Sequence, residues 1–369
     1  TTDGYGFVAQ IQDMVSRQKA GKAFINVPDG VGVNAPSPLL IQQVTGAGTQ
    51  GVMATHVACA SVGGRILTFE LTELKHMPKG GRGLMLIDLV DKDVLAGAML
   101  KYAREEIEAG PVAAPVGGKS DRPTVAMLGE MFPADPIMIG QMLSPLGLAA
   151  GPVVPCREWR ELYAALNSSI VAAIHPFYTA SVREFEVAGR SVVGSAPVGQ
   201  HGTAAWLQNI GEMFGCSANQ IAEAKNAVLP AITGALAATP IVGTITLSGY
   251  EGSELLVARL LIESGADVSY VGTACPSTPW NSDDKEWLEA HGVKVKFRAS
   301  LEDDCAAMEA VQPDLAIGTT PVVQKAKELG IPGLYFTNLI SARPLMGVAG
   351  AGSLATVINA AIGNKDRMS

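Results

Sequence analysis

From residue 121 onward, the chain alternates short runs of apolar and β-branched residues with longer segments whose apolar residues recur at helical spacing. The runs are TVAMLG (124–129), IVAAIH (170–175), SVVGSAP (191–197), GTITLSG (243–249), KVKFRA (294–299), DLAIGTTP (314–321) and PGLYFTN (332–338). Short strands that alternate with helices are typical of βαβ units and predict parallel sheets. Asp135 and Pro136 predict the first residues of one helix, and Gly265 predicts the end of another.

The predicted strands fall into two groups, at about 121–216 and 241–345, on either side of a long helix predicted at 217–237. We expect each group to form one parallel sheet. The predicted fold class is therefore α/β, with two Rossmann-like domains that face each other across a cleft. Their expected bounds are 121–240, which includes the long helix, and 241–369. Residues 92–120 are expected to form a linking helix and loop.

Ligands of open parallel sheets lie beyond the carboxyl ends of the strands, so the loops there hold the candidate site residues. The candidates for a substrate cleft are Glu130, His175, Tyr178, Tyr250, Glu251 and Cys275. His175 could donate a proton or orient a ligand, or backbone groups could satisfy it. The two glutamates could instead cap helices. Cys275 could be reactive or a small buried apolar residue, and no basic neighbour in the sequence lowers its pKa.

Two short motifs give little support for nucleotide binding. The turn SGYEGSE (248–254) lacks the GxGxxG fingerprint of dinucleotide-binding folds. GGKS (117–120) matches the end of a P-loop but lacks its upstream glycine and its preceding strand. Neither motif predicts a nucleotide site.

Residues 1–91 follow a different pattern, because they repeat at a spacing of sixty residues. KAGKAFINV (19–27) aligns with KGGRGLMLI (79–87). The same shift aligns Phe7, Ala9, Ile11 and Met14 with Leu67, Phe69, Leu71 and Leu74. Alternating apolar residues before a basic, glycine-containing turn predict a β-hairpin unit that is used twice. Such a repeat is typical of propeller-like arrays, although two units are too few to close a ring.

The charge distribution and the cysteine positions argue against several classes of function. Residues 1–92 carry eight Lys or Arg and seven acids, a net of +1, whereas the remainder carries 19 and 28, a net of −9. The acidic body argues against nucleic-acid binding over most of the chain. The five cysteines are scattered and form no CxxC pair, so no metal site is predicted. No apolar run approaches the roughly 20 residues of a membrane span, and a cytoplasmic protein is expected.

Residues 92–369 closely resemble the Y subunits of chlorophyllide reductase, a nitrogenase-like enzyme of bacteriochlorophyll synthesis. The segments that carry the resemblance include KDVLAGAMLKYAREE, LGEMFPADP, AAIHPFYTAS, SGYEGSELLVARLLIESGA, VGTACPSTPW and DLAIGTTPVVQKAKELG. The resemblance implies two Rossmann-like domains of nitrogenase component-one type. It also implies a two-electron reduction of the chlorophyllide ring that depends on ferredoxin and ATP, with a Z-type subunit and an iron-protein-like X-type subunit as partners.

The resemblance also implies a cofactor for which this sequence offers no ligands. In that family a 4Fe–4S cluster is held between the Y-type and Z-type subunits, the cluster cysteines of the Y-type subunit lie in an N-terminal domain, and ATP binds to the X-type partner. This sequence has no counterpart of that domain, and none of its cysteines stands in a cluster motif. Because such a cluster needs about four converging thiolates, we expect the chain to be inactive alone.

Residues 1–91 resemble blades of the C-terminal domain of the topoisomerase IV A-type subunit, so the chain resembles a chimera of two families. The β-hairpin-repeat segment would then be part of a β-pinwheel. By that resemblance, the candidates for DNA phosphate contacts are Lys19, Lys22, Lys79 and Arg82. The near-neutral charge predicts weak DNA binding or none. Two alternative functions stay open: a DNA-binding fragment, or a small-molecule-binding protein built on twin Rossmann-like domains.

Overall fold

The chain divides into two compact units, Thr1–Asp91 and Lys92–Ser369. The computed structural model describes residues 1, 5–16, 22–27, 30–35, 56–60, 66–70, 74, 76–85, 92–112, 121–129, 136–156, 158–175 and 177–363. Glu130, Asp135, Lys19 and the GGKS motif lie outside these residues. No helix among the described residues is long and apolar enough to cross a membrane.

The first unit contains two small antiparallel pairings. Strand β1 (Tyr5–Gly6) pairs with β4 (Leu84–Met85), and β2 (His56–Ala60) forms a ladder with β3 (Ile66–Glu70). The predicted alternation from Phe7 to Met14 is wrong at its end, because Ile11–Met14 is a 3-10 helix. The backbone N–H of Gln10 donates to the Asp13 carboxylate at 3.3 Å, which stabilises this turn. Ile11 is accordingly 81% exposed rather than packed against a sheet.

The second unit begins with a sheet of four parallel strands in the order β6-β5-β7-β8. The strands are β5 (Thr124–Leu128), β6 (Ala149–Val154), β7 (Ile170–Ala173) and β8 (Ser191–Gly194). The helices before and between them are α1 (Lys92–Ala109), α2 (Pro136–Leu143), α3 (Trp159–Leu166) and α4 (Thr179–Val187), followed by α5 (Gly199–Phe214). The predicted strands β5, β7 and β8 are present, and α2 begins at Pro136 as predicted.

A second parallel sheet has five strands in the order β11-β10-β9-β12-β13. The strands are β9 (Thr244–Gly249), β10 (Asp267–Thr273), β11 (Lys294–Phe297), β12 (Leu315–Gly318) and β13 (Gly333–Tyr335). The helices are α7 (Glu254–Glu263), α8 (Ser282–Ala290), α9 (Leu301–Val311), α10 (Thr320–Glu328), α11 (Phe336–Ser341), α12 (Gly347–Ala351) and α13 (Ala355–Ile362). The strand order reverses between β9 and β12, as in doubly wound folds. The prediction of two parallel sheets is confirmed.

The long helix α6 (Ala218–Ala238) lies between the two sheets in the sequence and contributes to one core that includes both. Ser217 and Gln220 form a capping box at its start, which explains why the predicted and observed starts agree within one residue. Its buried residues recur at helical spacing: Ile221, Ala224, Val228, Ile232 and Leu236. They join apolar side chains of both sheets, including Val125 and Leu247, in a single cluster.

Helix α1 packs on the outer face of the first sheet and is not separated from it. Ala96, Leu100 and Ala103 are buried in a second apolar cluster. The Asp93 carboxylate accepts hydrogen bonds from the backbone N–H groups of Ala180 at 2.6 Å and Ser181 at 2.8 Å. An acid at this position caps the first turn of α4 and therefore anchors the start of α1 to the first sheet.

Candidate interdomain site

His175 and Glu251 join the carboxyl ends of the two sheets. His175 follows β7, and its Nε2 atom lies 2.5 Å from the backbone carbonyl oxygen of Glu251, which follows β9. The backbone N–H of Phe177 donates to His175 Nδ1 at 3.3 Å. Because Nδ1 accepts, Nε2 carries the proton and donates to the Glu251 carbonyl. Backbone groups therefore use both ring nitrogens of this candidate.

Two glycines make room for the His175 side chain. Gly129 has φ +126° and Gly252 has φ +92°. A Cβ atom on Gly129 would lie 2.4 Å from the Cβ of His175, and one on Gly252 would lie 2.5 Å from its Cε1. Both positions therefore require glycine for conformation and for space. The two backbones hold the imidazole in place from both sheets.

Glu254 is a buried acid at this site that the sequence pattern did not single out. Its carboxylate accepts hydrogen bonds from the N–H of Glu251 at 2.7 Å, the N–H of Gly252 at 2.9 Å and the hydroxyl of Thr273 at 2.8 Å. Burial raises the pKa of Glu254 to about 6, although these hydrogen bonds oppose the shift. The sequence feature that could have identified Glu254 is an acid directly after the glycine turn SGYEGS.

The position of Glu254 explains why the turn after β9 does not form a dinucleotide site. In such sites, the pyrophosphate binds the N–H groups at the start of the helix that follows the first strand. Here the Glu254 carboxylate, at the first residue of α7, binds the N–H groups of Glu251 and Gly252. The side chain already satisfies the donors that a phosphate group would need.

The other predicted site residues that the structure describes lie in different surroundings. Tyr178 is buried and lies edge-on to the His175 ring, with 5.6 Å between ring centroids. Tyr250, by contrast, is 57% exposed. The Glu251 carboxylate accepts a hydrogen bond from the Thr337 hydroxyl at 3.0 Å. Cys275 is 1% exposed, and burial raises the pKa of its thiol, so the thiolate is disfavoured.

A buried ion pair forms a second connection between the sheets. Arg259 of α7 and Asp284 of α8 bind each other, and each is 3% exposed. The Ser195 hydroxyl, which follows β8, donates to Asp284 at 3.0 Å, and the Arg259 guanidinium donates to the carbonyl of Ala196 at 3.4 Å. Burial raises the pKa of Asp284, and the Arg259 charge opposes the shift. The loop after β8 is thus fixed to the second sheet.

One small cavity lies between the carboxyl-end loops of the two sheets. The cavity there has a volume of about 10 Å³ and is lined by residues that include Ser195, Gly252, Thr273, Cys275 and Asp284. A cavity of this size holds about one water molecule. At this cavity the described loops of the two sheets are in contact, and the substrate cleft expected from the sequence stays a prediction.

The described residues do not fit an iron–sulfur cluster. No group of three or more His, Cys, Asp or Glu residues within the described ranges could hold a metal ion. Cys156, Cys216, Cys275 and Cys305 are free thiols at four separate places in the fold. Burial raises the pKa of each one. A cluster needs about four thiolates that converge on one site, and these four side chains do not provide them.

In the first unit, two of the basic candidates lie over aromatic rings. The Arg82 guanidinium lies 3.9 Å from the centroid of the Tyr5 ring, and the Lys22 ammonium lies 5.5 Å from that of Phe24. These are cation–π contacts that hold each charge near its own turn. Lys79 is exposed next to the glycine turn at Gly80, which has φ +73°.

Comparison with known proteins places the second unit in a family. The model of the family described as "Nitrogenase component 1 type Oxidoreductase" matches residues 92–362. The chlorophyllide reductase 52.5 kDa chain of Cereibacter sphaeroides is 78% identical over 278 residues, which are 75% of this chain and 55% of that protein. This chain therefore spans about half the length of that relative.

Two further comparisons concern the fold and the first unit. A solved structure of nitrogenase Cp1 at pH 5 covers 76% of this chain and 63% of its own, with 13% identity and a TM-score of 0.53, which supports the fold alone. The A-type subunit of DNA topoisomerase 4 from Pseudomonas aeruginosa is 34% identical over 77 residues, which are 21% of this chain and 9% of that protein. Both predicted resemblances are confirmed at this level.

Proposed function

This chain belongs to the nitrogenase component 1 type oxidoreductases, and we propose that residues 92–369 form the two Rossmann-like domains of a Y-type chlorophyllide reductase subunit. The observation that carries the proposal is the 78% identity over 278 residues to a chlorophyllide reductase chain. The two parallel sheets and the single core that includes both agree with this role.

We propose that this body acts in bacteriochlorophyll synthesis as one component of a larger reductase. A Z-type subunit would bind it, and an X-type subunit would supply electrons from ferredoxin at the expense of ATP. Chlorophyllide would be the substrate. The backbone hydrogen bonds of His175 and the burial of Cys275 support a structural role for the interdomain loops.

We further propose that the chain does not support chlorophyllide reduction, either alone or together with its partner subunits. The reaction needs a 4Fe–4S cluster as an electron relay, and the four described thiols do not converge on a cluster site. Their raised pKa values also oppose the thiolate form that binds iron.

The test is reconstitution with the Z-type and X-type subunits under anaerobic conditions, with ATP, a reductant and chlorophyllide. We expect the chain to co-elute with the Z-type subunit in gel filtration. We expect the rate of chlorophyllide reduction to be no higher than in an assay from which this chain is omitted. A complete Y-type subunit is the control, and it should co-elute with the Z-type subunit and support chlorophyllide reduction. Failure to co-elute would reject the subunit role, and turnover equal to that of the control would reject the proposed inactivity.

A second candidate function concerns the first unit alone. The 34% identity to the DNA topoisomerase 4 A-type subunit over 77 residues favours DNA binding by residues 1–91. Lys22, Lys79 and Arg82 would contact phosphates, with Lys19 as a fourth candidate. Binding of the full chain to duplex DNA should then weaken steeply as salt is added. Absence of binding at low salt would reject this function.

A further inference from the structure

A groove of about 640 Å³ lies on the helical face of the second unit, away from the interdomain loops. Helices α5, α6, α7 and α8 contribute to it, together with the segment after α6 and the turn at Gly265. The residues that matter here are Gln200, His201, Thr233, Glu263, Trp287 and His291. The volume lies within the range of small-molecule sites in proteins, which is roughly 300–1,000 Å³.

Hydrogen bonds preform the polar side of the groove. The Glu263 carboxylate accepts from the backbone N–H of Gln200 and, at 2.9 Å, from that of His201, so it is fixed at the start of α5. The Thr233 hydroxyl on α6 donates to the Gln200 amide oxygen at 2.8 Å. Glu263 is half-buried, and each of its two carboxylate oxygens accepts one of these bonds, so each oxygen can accept one more from a ligand.

An aromatic wall forms the opposite side. The Trp287 and His291 rings are stacked at 3.7 Å between centroids, and His291 Nδ1 lies 2.7 Å from the Trp287 carbonyl oxygen. His201 lies near Trp287, with 5.7 Å between centroids and a tilt of 35°. His291 therefore covers one face of the indole, and the exposed His201 ring lies beside it.

The charge of the groove decides between ligand classes. Its lining contains one carboxylate, from Glu263, and neither lysine nor arginine. Apart from the rings of His201 and His291, nothing in the lining could offset the repulsion between Glu263 and a phosphate or carboxylate ligand. A positive charge would be attracted both by Glu263 and by the electron-rich face of Trp287. Apolar residues beneath, such as Leu236 and Pro240, favour a flat organic molecule over a bare ion.

We propose that this groove binds a small planar organic cation, with the charge near Glu263 and the ring system against Trp287 and His201. The site does not depend on the proposed reductase function, because every contact comes from this chain alone. It is also separate from His175, Glu251 and Cys275, none of which lines it.

The test compares two tricyclic probes of similar size and opposite charge on the full chain. Proflavine is a planar cation, and anthracene-9-carboxylate is a planar anion. Isothermal titration should detect binding of proflavine and at least about tenfold weaker binding of the anion, since the electrostatic and cation–π contributions have opposite signs for the two. Equal affinity of the two probes would overturn the proposal.

Variants locate the binding. Trp287→Ala and Thr233→Lys should each weaken proflavine binding by about tenfold, through loss of the aromatic face and through added positive charge. Asn226→Lys is the matched control for the second variant, because it adds the same charge at an exposed position of α6 that does not line the groove. If Thr233→Lys leaves proflavine binding unchanged, or if both lysine variants weaken it equally, the groove is not the site.

Discussion

The imidazole of His175 lies 2.5 Å from the backbone carbonyl oxygen of Glu251 and thereby joins the carboxyl ends of two parallel sheets. Residues at such ends commonly bind ligands. Here the backbone of one sheet accepts the hydrogen bond that the side chain of the other donates. This hydrogen bond makes the junction of the two sheets a structural contact.

Gly252→Ala should destabilise the chain by about 2–4 kcal/mol, because the new Cβ would meet the His175 ring and the residue would be strained at φ +92°. Gly292→Ala is the matched control, since Gly292 has φ +81° but no atom within 4 Å of the added Cβ. It should cost only about 1 kcal/mol. Urea unfolding measures both, and equal losses would contradict the contact.

Arg259→Met should cost about 3–5 kcal/mol of unfolding free energy, because it leaves the Asp284 carboxylate buried without its cation. The exposed pair of Arg160 and Glu158 provides the control, and Arg160→Met should cost less than about 1 kcal/mol. The same urea measurement applies. A loss below about 1 kcal/mol for Arg259→Met would show that the buried Asp284 carboxylate does not depend on the Arg259 charge.

The pH dependence of stability should carry a contribution from Glu254. Its pKa rises from the ordinary 4.5 to about 6 in the folded chain, so the folded state holds the proton more tightly than the unfolded state. The resulting stabilisation is complete below pH 4.5 and is lost as pH rises through about 6. The loss is about 2 kcal/mol.

Glu254→Gln removes this titration. The informative quantity is how the difference in unfolding free energy between the two proteins changes with pH, not its size at a single pH. Unfolding free energies should be determined for both proteins from pH 4.5 to neutral pH. The stability of the original chain relative to the variant should fall by about 2 kcal/mol over that range. A difference that stays constant, or that grows with pH, would refute the raised pKa.

Cys275 should react with iodoacetamide far more slowly than Cys156 and Cys305. Its thiol is 1% exposed and has a raised pKa, whereas the other two are half-buried. Mass spectrometry of peptides from the native chain gives the labelled fraction at each position, and the urea-unfolded chain provides the control in which all should react. Rapid native labelling of Cys275 would mean that the interdomain region opens.

The sequence predicted helix starts well where they depend on contacts between residues that are close in the chain. Ser217 and Gln220 mark the start of α6 because a capping box is a contact between near neighbours. Strand β6 was missed because Gly151 and Pro152 interrupt its apolar run. An edge strand tolerates the proline, and a Cβ on Gly151 would lie 2.9 Å from the Val125 carbonyl oxygen.

The site was harder to predict because its contacts join distant residues. Arg259 reads as an ordinary charged residue of an amphipathic helix, and nothing near it indicates Asp284 of α8 or the carbonyl of Ala196. The described candidates follow strand ends, as expected, and their role in a site stays a prediction. Their closure by backbone bonds, as at His175, is a tertiary property that periodicity does not encode.

The central claim is that residues 92–362 form the twin-domain body of a nitrogenase component 1 type chain, and that the described cysteines do not converge on a cluster site. Anaerobic reconstitution of the full chain with iron and sulfide, followed by desalting and iron analysis, tests it most directly. We predict protein-bound iron far below one cluster per chain and no cluster absorption band. Four iron atoms per chain that persist after desalting and are lost when cysteines are replaced by serine would contradict the claim.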